Sequence, residues 1–310
     1  MVARFRRSIS LPGRNPKSDG GGRVCPLQPA KPPPARSTSL PSHAEQPAVA
    51  QVEEELRAAG VWHSSGAEPL PSSWLCSGLL RLELLLLALD EVLQLPQTQE
   101  ALRRSRCGPS AVAEKLLSDL LLFADVHGSF RMVIVSLQEL QAAAQAAVRR
   151  RDGERLASLG RSLRKAEKEL TAMAPVALGK GEQEPHSSTP DGELAAILKE
   201  VSAATAAVSA AVFRGTAAAV SLAAAVSLAA AVVGSKSSSW AALRRRVPPM
   251  SSYSKNSVAA EEETAGKRST AAMAALAELG ECLSALEIPS ERTFRRLINA
   301  RVSVLNILTP

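Results

Sequence analysis

The residues best suited to chemistry lie in the first forty-one positions, where one short motif occurs twice. Arg7-Ser8-Ile9-Ser10-Leu11-Pro12 and Arg36-Ser37-Thr38-Ser39-Leu40-Pro41 both read Arg-Ser-x-Ser-Leu-Pro. An arginine three residues before a serine suits a kinase that selects basic substrates. Phosphate on Ser10 or Ser39 adds nearly two negative charges and three strong acceptors. With the following Pro12 or Pro41 turning the chain away, each motif resembles a 14-3-3 binding site, in which clustered arginines grip the phosphate. The two serines are 29 residues apart. A flexible linker of that length spans about 30 Å, enough for both sites to engage one dimeric reader. An arginine- and serine-rich, acid-poor N-terminus also fits an organelle transit peptide, with a plastid form the more open, because proline clusters and the lack of a clear amphipathic helix weaken a mitochondrial one.

Other groupings are weaker. Asp125, His127 and Ser129 have the residue types of a catalytic triad. On a helix, however, residues two apart point about 200° away from each other. Gly266-Lys267-Arg268-Ser269 lacks the upstream glycine, the preceding strand and the Lys-Ser adjacency of a phosphate loop. Cys25, Cys76, Cys107 and Cys282 are too widely spaced for a metal knuckle or redox pair, which points to free thiols in a reducing compartment. No His, Cys and carboxylate set has metal-ligand spacing. The expectation is therefore a non-enzymatic protein with no catalytic, metal or cofactor residues. The net charge of +7 is diffuse and does not specify nucleic acid.

These features must be positioned by helices. Aromatic residues make up only 3% of the chain, Ala and Leu dominate, and Val is mostly interspersed with Ala, so little could build a sheet. The sequence predicts an all-α, elongated bundle of six to eight helices, with a disordered basic head over residues 1–45. A helical domain is expected over 46–310, with flexible linkers at 175–190 and 234–257. Helices are expected at 49–59, ending at Gly60, at 74–95, at about 109–151, at 154–173, at 191–233, at 258–287 and at 290–307. The longest shows a coiled-coil-like seam. Leu116, Leu120, Phe123, His127, Phe130, Ile134, Leu137, Gln141, Ala144 and Val148 alternate at spacings of four and three. His127 and Gln141 are the polar positions of that seam, a pattern that sets helix register.

The order of several segments resembles the plant Bypass family. They are Arg36-Ser37-Thr38-Ser39-Leu40-Pro41, then Leu95-Pro96-Gln97-Thr98-Gln99, then Leu137-Gln138-Glu139-Leu140 within the long helix, then Phe294-Arg295-Arg296-Leu297-Ile298, and last Arg301-Val302-Ser303-Val304-Leu305-Asn306-Ile307-Leu308. The resemblance spans about residues 36–310. It implies a role in root and shoot development and brings no agreed catalytic residues. The Ala-rich stretch 203–233 and the sharp break expected at Pro289 depart from the family pattern.

Thr216 to Val233 is uncharged and long enough to cross a bilayer. Its six strongly apolar residues contribute only about −0.4 kcal/mol each, and no aromatic belt flanks them. A buried bundle helix is the favoured reading, and membrane contact through 216–233 the alternative. The expected function is a regulatory or interaction protein of plant development, switched by phosphorylation of the head. A peripheral membrane or trafficking scaffold is the second reading. Cytoplasmic location is expected, with plastid or membrane-associated location as alternatives.

Overall fold

Among the described residues of the computed structural model every regular element is a helix, as the Ala- and Leu-rich composition requires. The structure describes residues 47–66, 71–103, 111–178, 190–244 and 255–309. The head motifs at 7–12 and 36–41 lie outside the described residues, as do Cys25 and Cys107. Seven helices are described: α1 (Pro47–Ser64), α2 (Ser72–Leu93), α3 (Pro96–Arg103), α4 (Ala111–Arg149), α5 (Gly153–Leu178), α6 (Pro190–Arg244) and α7 (Lys255–Leu308). Residues 41–310 cluster as one unit.

The spine is α4. Of the ten seam positions, all but Gln141 are buried, and their apolar members fill two adjoining core clusters. Phe130, Ile134 and Leu137 pack with Leu75, Leu79, Phe213 and Leu283. Leu116, Leu120 and Phe123 pack with Val49, Leu89, Leu297 and Val304. Each such side chain contributes about 1.5–3 kcal/mol on burial. Helices α5, α6 and α7 all pack on α4, α2 packs on α7, and α1 covers α2.

The turn between α4 and α5 follows from local chemistry. Arg151 has φ of 53°, its N–H donates to Val148 O at 3.0 Å, and the Asp152 N–H donates to Ala147 O at 3.0 Å. This pair of bonds closes α4 around a left-handed residue, a place glycine normally fills. Asp152 Oδ1 then accepts the Arg155 N–H at 3.0 Å and caps α5.

Several helices run past their expected ends. α1 continues through Gly60, because its burial continues to Trp62, whose indole N–H donates to Trp74 O at 3.0 Å and shares Ser77 Oγ at 3.0 Å. α5 runs through Pro175 to Leu178, with Ala174 and Ala177 buried on either side of the proline. α6 extends to Arg244 and α7 begins at Lys255, so the backbone is helical over part of the stretch expected as a linker. The two helices expected around Pro289 are one helix, α7. A proline there removes a single N–H, which leaves the Ala285 carbonyl without its helical donor. Cys76 Sγ–H approaches that carbonyl at 3.4 Å, and Ser290 Oγ donates to Glu287 O at 2.8 Å. Buried Leu283, Leu286 and Leu297 on both sides hold the helix in line. The expected Leu95-Pro96-Gln97-Thr98-Gln99 turn opens a short helix, α3, with Pro96 in its first position, where a missing N–H costs nothing.

The Ala-rich part of α6 is a bundle helix. Thr216, Ala217, Val220, Ala223, Ala224, Ser227 and Ala231 face inward, and Leu222 and Val232 face out. It packs closely because α5 offers a notch: a Cβ built on Gly160 would lie 2.8 Å from the Leu228 side chain.

Two substitutions separate helix propensity from packing. Gly60→Ala meets nothing within 4 Å, so chemical denaturation is expected to show a gain of about 0.5–1 kcal/mol. Gly78→Ala drives a methyl into the Trp62 ring and is expected to lose about 1–3 kcal/mol despite the same propensity gain. Arg151→Gly relieves the left-handed backbone and is expected to raise stability by about 1 kcal/mol in the same measurement.

Candidate functional site

The most unusual chemical environment among the described residues surrounds His127. The seam turns its side chain inward from the middle of α4, where it is completely buried. Its Nε2 lies 2.9 Å from Ser209 Oγ on α6. Ser209 in turn donates to Thr205 O at 2.7 Å, one turn back along α6. That hydroxyl proton is committed, so Ser209 Oγ accepts from His127, and Nε2 carries the imidazole proton. Nδ1 is left as a buried acceptor with no hydrogen-bond partner.

The ring sits among aromatic groups. Phe213 lies 5.3 Å from it, centroid to centroid, Phe130 lies 6.5 Å away edge-on, and the two phenylalanines are 4.8 Å apart. Burial without a counter-ion penalises the charged form and pulls the His127 pKa down to about 4. At neutral pH the site therefore holds a neutral imidazole of one tautomer. It makes a directed bond across the α4–α6 joint, where dispersion alone would allow sliding.

The residues suggesting a triad are dispersed. Asp125 and Ser129 are exposed, and Ser129 Oγ donates to the Asp125 backbone carbonyl at 3.0 Å. His127 faces away from both, as the 200° separation predicts. The second polar seam position also makes an interhelical bond. Gln141 Nε2 donates to Leu276 O on α7 at 2.7 Å, and it reaches that carbonyl past Gly280, where a Cβ would lie 2.7 Å from the amide nitrogen. Between these two, Arg131 pairs with Glu291 and lies 4.9 Å over the Phe294 ring, close to Gly128. Ser209, Leu276 and Gly280 are partners that sequence reasoning did not find. A repeat of small hydroxyl residues on α6 was the only local signal for Ser209.

The two described cysteines are held as neutral thiols. The thiols of Cys76 and Cys282 are free, and burial raises the pKa of both, with Cys282 pushed up to about 11 by burial and then by its neighbour Cys76. Few thiolates form under those conditions. Among the described residues no three His, Cys, Asp or Glu side chains are grouped to hold a metal ion. A groove of about 420 Å³ between α5 and α6 is lined by Glu167, Thr171, Arg214, Ser221, Leu222 and Ala225.

Comparison with known proteins gives one decisive result. The family described as Protein BPS1, the plant Bypass family, matches residues 78–307, or 230 of the chain's 310 residues. The chain belongs to the BPS1 family. Membership points to a role in plant development. The matched region contains α4 and the whole His127 environment, and it begins after both head motifs, a narrower span than the expected 36–310. No curated protein and no solved structure gives a significant match.

The His127 environment has a definite acid signature. Above pH about 6.5 the folded and unfolded chains both hold neutral imidazole. Below that, the unfolded chain takes a proton that the buried site refuses until about pH 4. Stability is therefore expected to fall by about 3 kcal/mol as pH drops from about 6.5 to about 4. His127→Gln, which cannot titrate, is expected to show a shallower acid limb in denaturation followed against pH.

Proposed function

We propose that this BPS1-family protein is a non-enzymatic regulatory adaptor of root and shoot development. In this reading the helical bundle is a rigid body and the basic head is its switch. Phosphorylation at Ser10 and Ser39 creates a paired docking signal for an intracellular, dimeric 14-3-3-type reader, with Arg7 and Arg36 guiding the kinase and Pro12 and Pro41 releasing the chain from the groove. The observation that carries the reading is the duplication of Arg-Ser-x-Ser-Leu-Pro at a spacing matched to bivalent capture. The non-enzymatic part is supported by the His127 geometry, in which the imidazole is sealed between helices and its serine partner has already given its proton to a carbonyl. A cytoplasmic location follows from this reading.

A specific observation favours a second reading, a membrane-associated scaffold. The spans Ser72–Leu93, Ala111–Arg149 and Gly192–Val232 are each long and apolar enough to cross a bilayer. In the bundle, however, these helices turn much of their apolar surface onto one another. Partition of the full chain between aqueous and detergent phases separates the readings: the adaptor stays in the aqueous phase.

Binding of the full chain, phosphorylated in vitro by a basophilic kinase, to a 14-3-3 dimer tests the proposal by calorimetry. Ser10→Ala or Ser39→Ala is expected to weaken binding about 100-fold by removing avidity, and the double variant to abolish it. Equal binding by the unphosphorylated chain would refute the switch.

A further inference from the structure

Two exposed stripes lie side by side on α4 and α7. On α4, Leu121, Asp125, Gly128, Met132, Val135 and Glu139 follow spacings of four and three, and all but half-buried Gly128 are exposed. On α7, Ile288, Arg292, Arg295, Asn299, Val302 and Asn306 follow the same spacing, and all are exposed. Met132 is 69% exposed and Ile288 63%, unusual values for large apolar side chains. Ile298 stands beside the α7 stripe and is also exposed.

The register between the helices is set by contacts already described. Gly128 faces Phe294, Arg131 pairs with Glu291, and Gln138 Nε2 donates to Glu287 Oε2 at 3.1 Å. The helices are therefore antiparallel, and helical periodicity puts both stripes on the same side of the pair, away from the core. At this register Leu121 is level with Ile298 and Val302, Asp125 with Arg295, and Val135 with Ile288.

We propose that this face joins two copies of the chain around a two-fold axis running along the α4–α7 seam. Rotation about such an axis lays the α4 stripe of one copy on the α7 stripe of the other without changing level. Leu121 then meets Ile298 and Val302 of the second copy, Met132 and Val135 meet Ile288, and Asp125 meets Arg295. The face is self-complementary, with apolar residues against apolar residues at both ends and opposite charges between them. The Asp125 carboxylate makes no ion pair within its own chain among the described residues, and its place on the stripe disfavours an anionic membrane as the occupant. The stripes carry two acids, Asp125 and Glu139, and two arginines, Arg292 and Arg295, so duplication brings no net repulsion.

The size also fits. From Leu121 to Glu139 the α4 stripe is about 27 Å long, and two helices side by side are about 20 Å wide. The footprint is about 540 Å² on each copy, or about 1,080 Å² in total, at the threshold of a specific interface. Leu80 and the half-buried Leu84 and Leu87 of α2, which flank α7, widen it. The arrangement is isologous, so it closes at two copies.

Sedimentation of the full chain across a dilution series tests this. The expected result is a mass rising to twice 32.6 kDa with concentration. Met132→Asp and Val302→Asp are each expected to weaken dimerisation at least about 10-fold, which is about 1.4 kcal/mol, with helical circular dichroism unchanged. Asp125→Arg and Arg295→Asp exchange exposed charges, the second also removing the Arg295–Glu291 pair within its own chain at 2.6 Å, and both leave the apolar core intact. Each is expected to weaken the dimer, and the two together to restore it. A constant monomer mass overturns the proposal, as does a dimer indifferent to these changes. Binding of a monomer to phosphatidylcholine vesicles containing phosphatidylserine, abolished by Val302→Asp, would likewise overturn it and assign the face to lipid.

Discussion

One neutral imidazole in a dry joint constrains the rest of this bundle. Long helices rich in alanine and leucine can slide past one another at little cost, because one methyl replaces another. His127 ends that freedom between α4 and α6. Its Nε2 bonds Ser209 Oγ, and any slide that carries it away from a hydroxyl on α6 leaves a second nitrogen unsatisfied in the core. A buried polar group without a partner costs about 1–3 kcal/mol, a sizeable share of a domain's net stability. Fourteen residues on, Gln141 does the same between α4 and α7. Two such bonds on one seam locate α4 against two neighbours at once.

Close approach is the other half of this design. The chain has five phenylalanines, three tryptophans and one tyrosine, so bulk cannot fill gaps between widely spaced helices. Helices must instead come close, and small residues let them. Gly78 receives the Trp62 ring, Gly160 receives Leu228, and Gly280 clears the path for Gln141. Two of the aromatic residues, Phe130 and Phe213, are placed against His127, where they exclude water and keep the imidazole neutral. The same rigidity holds the α4 and α7 surfaces in a fixed relation.

The seam of α4 was legible in the sequence because a four-and-three repeat over ten positions has one physical outcome in water. The polar role of His127 and Gln141 was legible for the same reason, since they interrupt that repeat. Their partners were not. Ser209 lies 82 residues from His127, and nothing in the local sequence of either helix names the other. Helix ends were misread where tertiary burial outweighed local signals. Gly60 and Pro289 each weaken a helix, yet buried residues on both sides keep it continuous. The serine-rich stretch after Val233 was read as a linker from composition, although the helix runs on through it to Arg244. Short α3 was missed because Pro96 reads equally well as the end of one helix or the start of the next.

The most direct test of the account is nitrogen-detected NMR of His127, assigned by comparison with His127→Gln. At neutral pH the ring should be the neutral form protonated at Nε2, without change until the pH approaches about 4. A ring protonated at Nδ1, or one titrating near its ordinary value of about 6.5, would mean that the α4–α6 joint is wet and that the helices are not held as described.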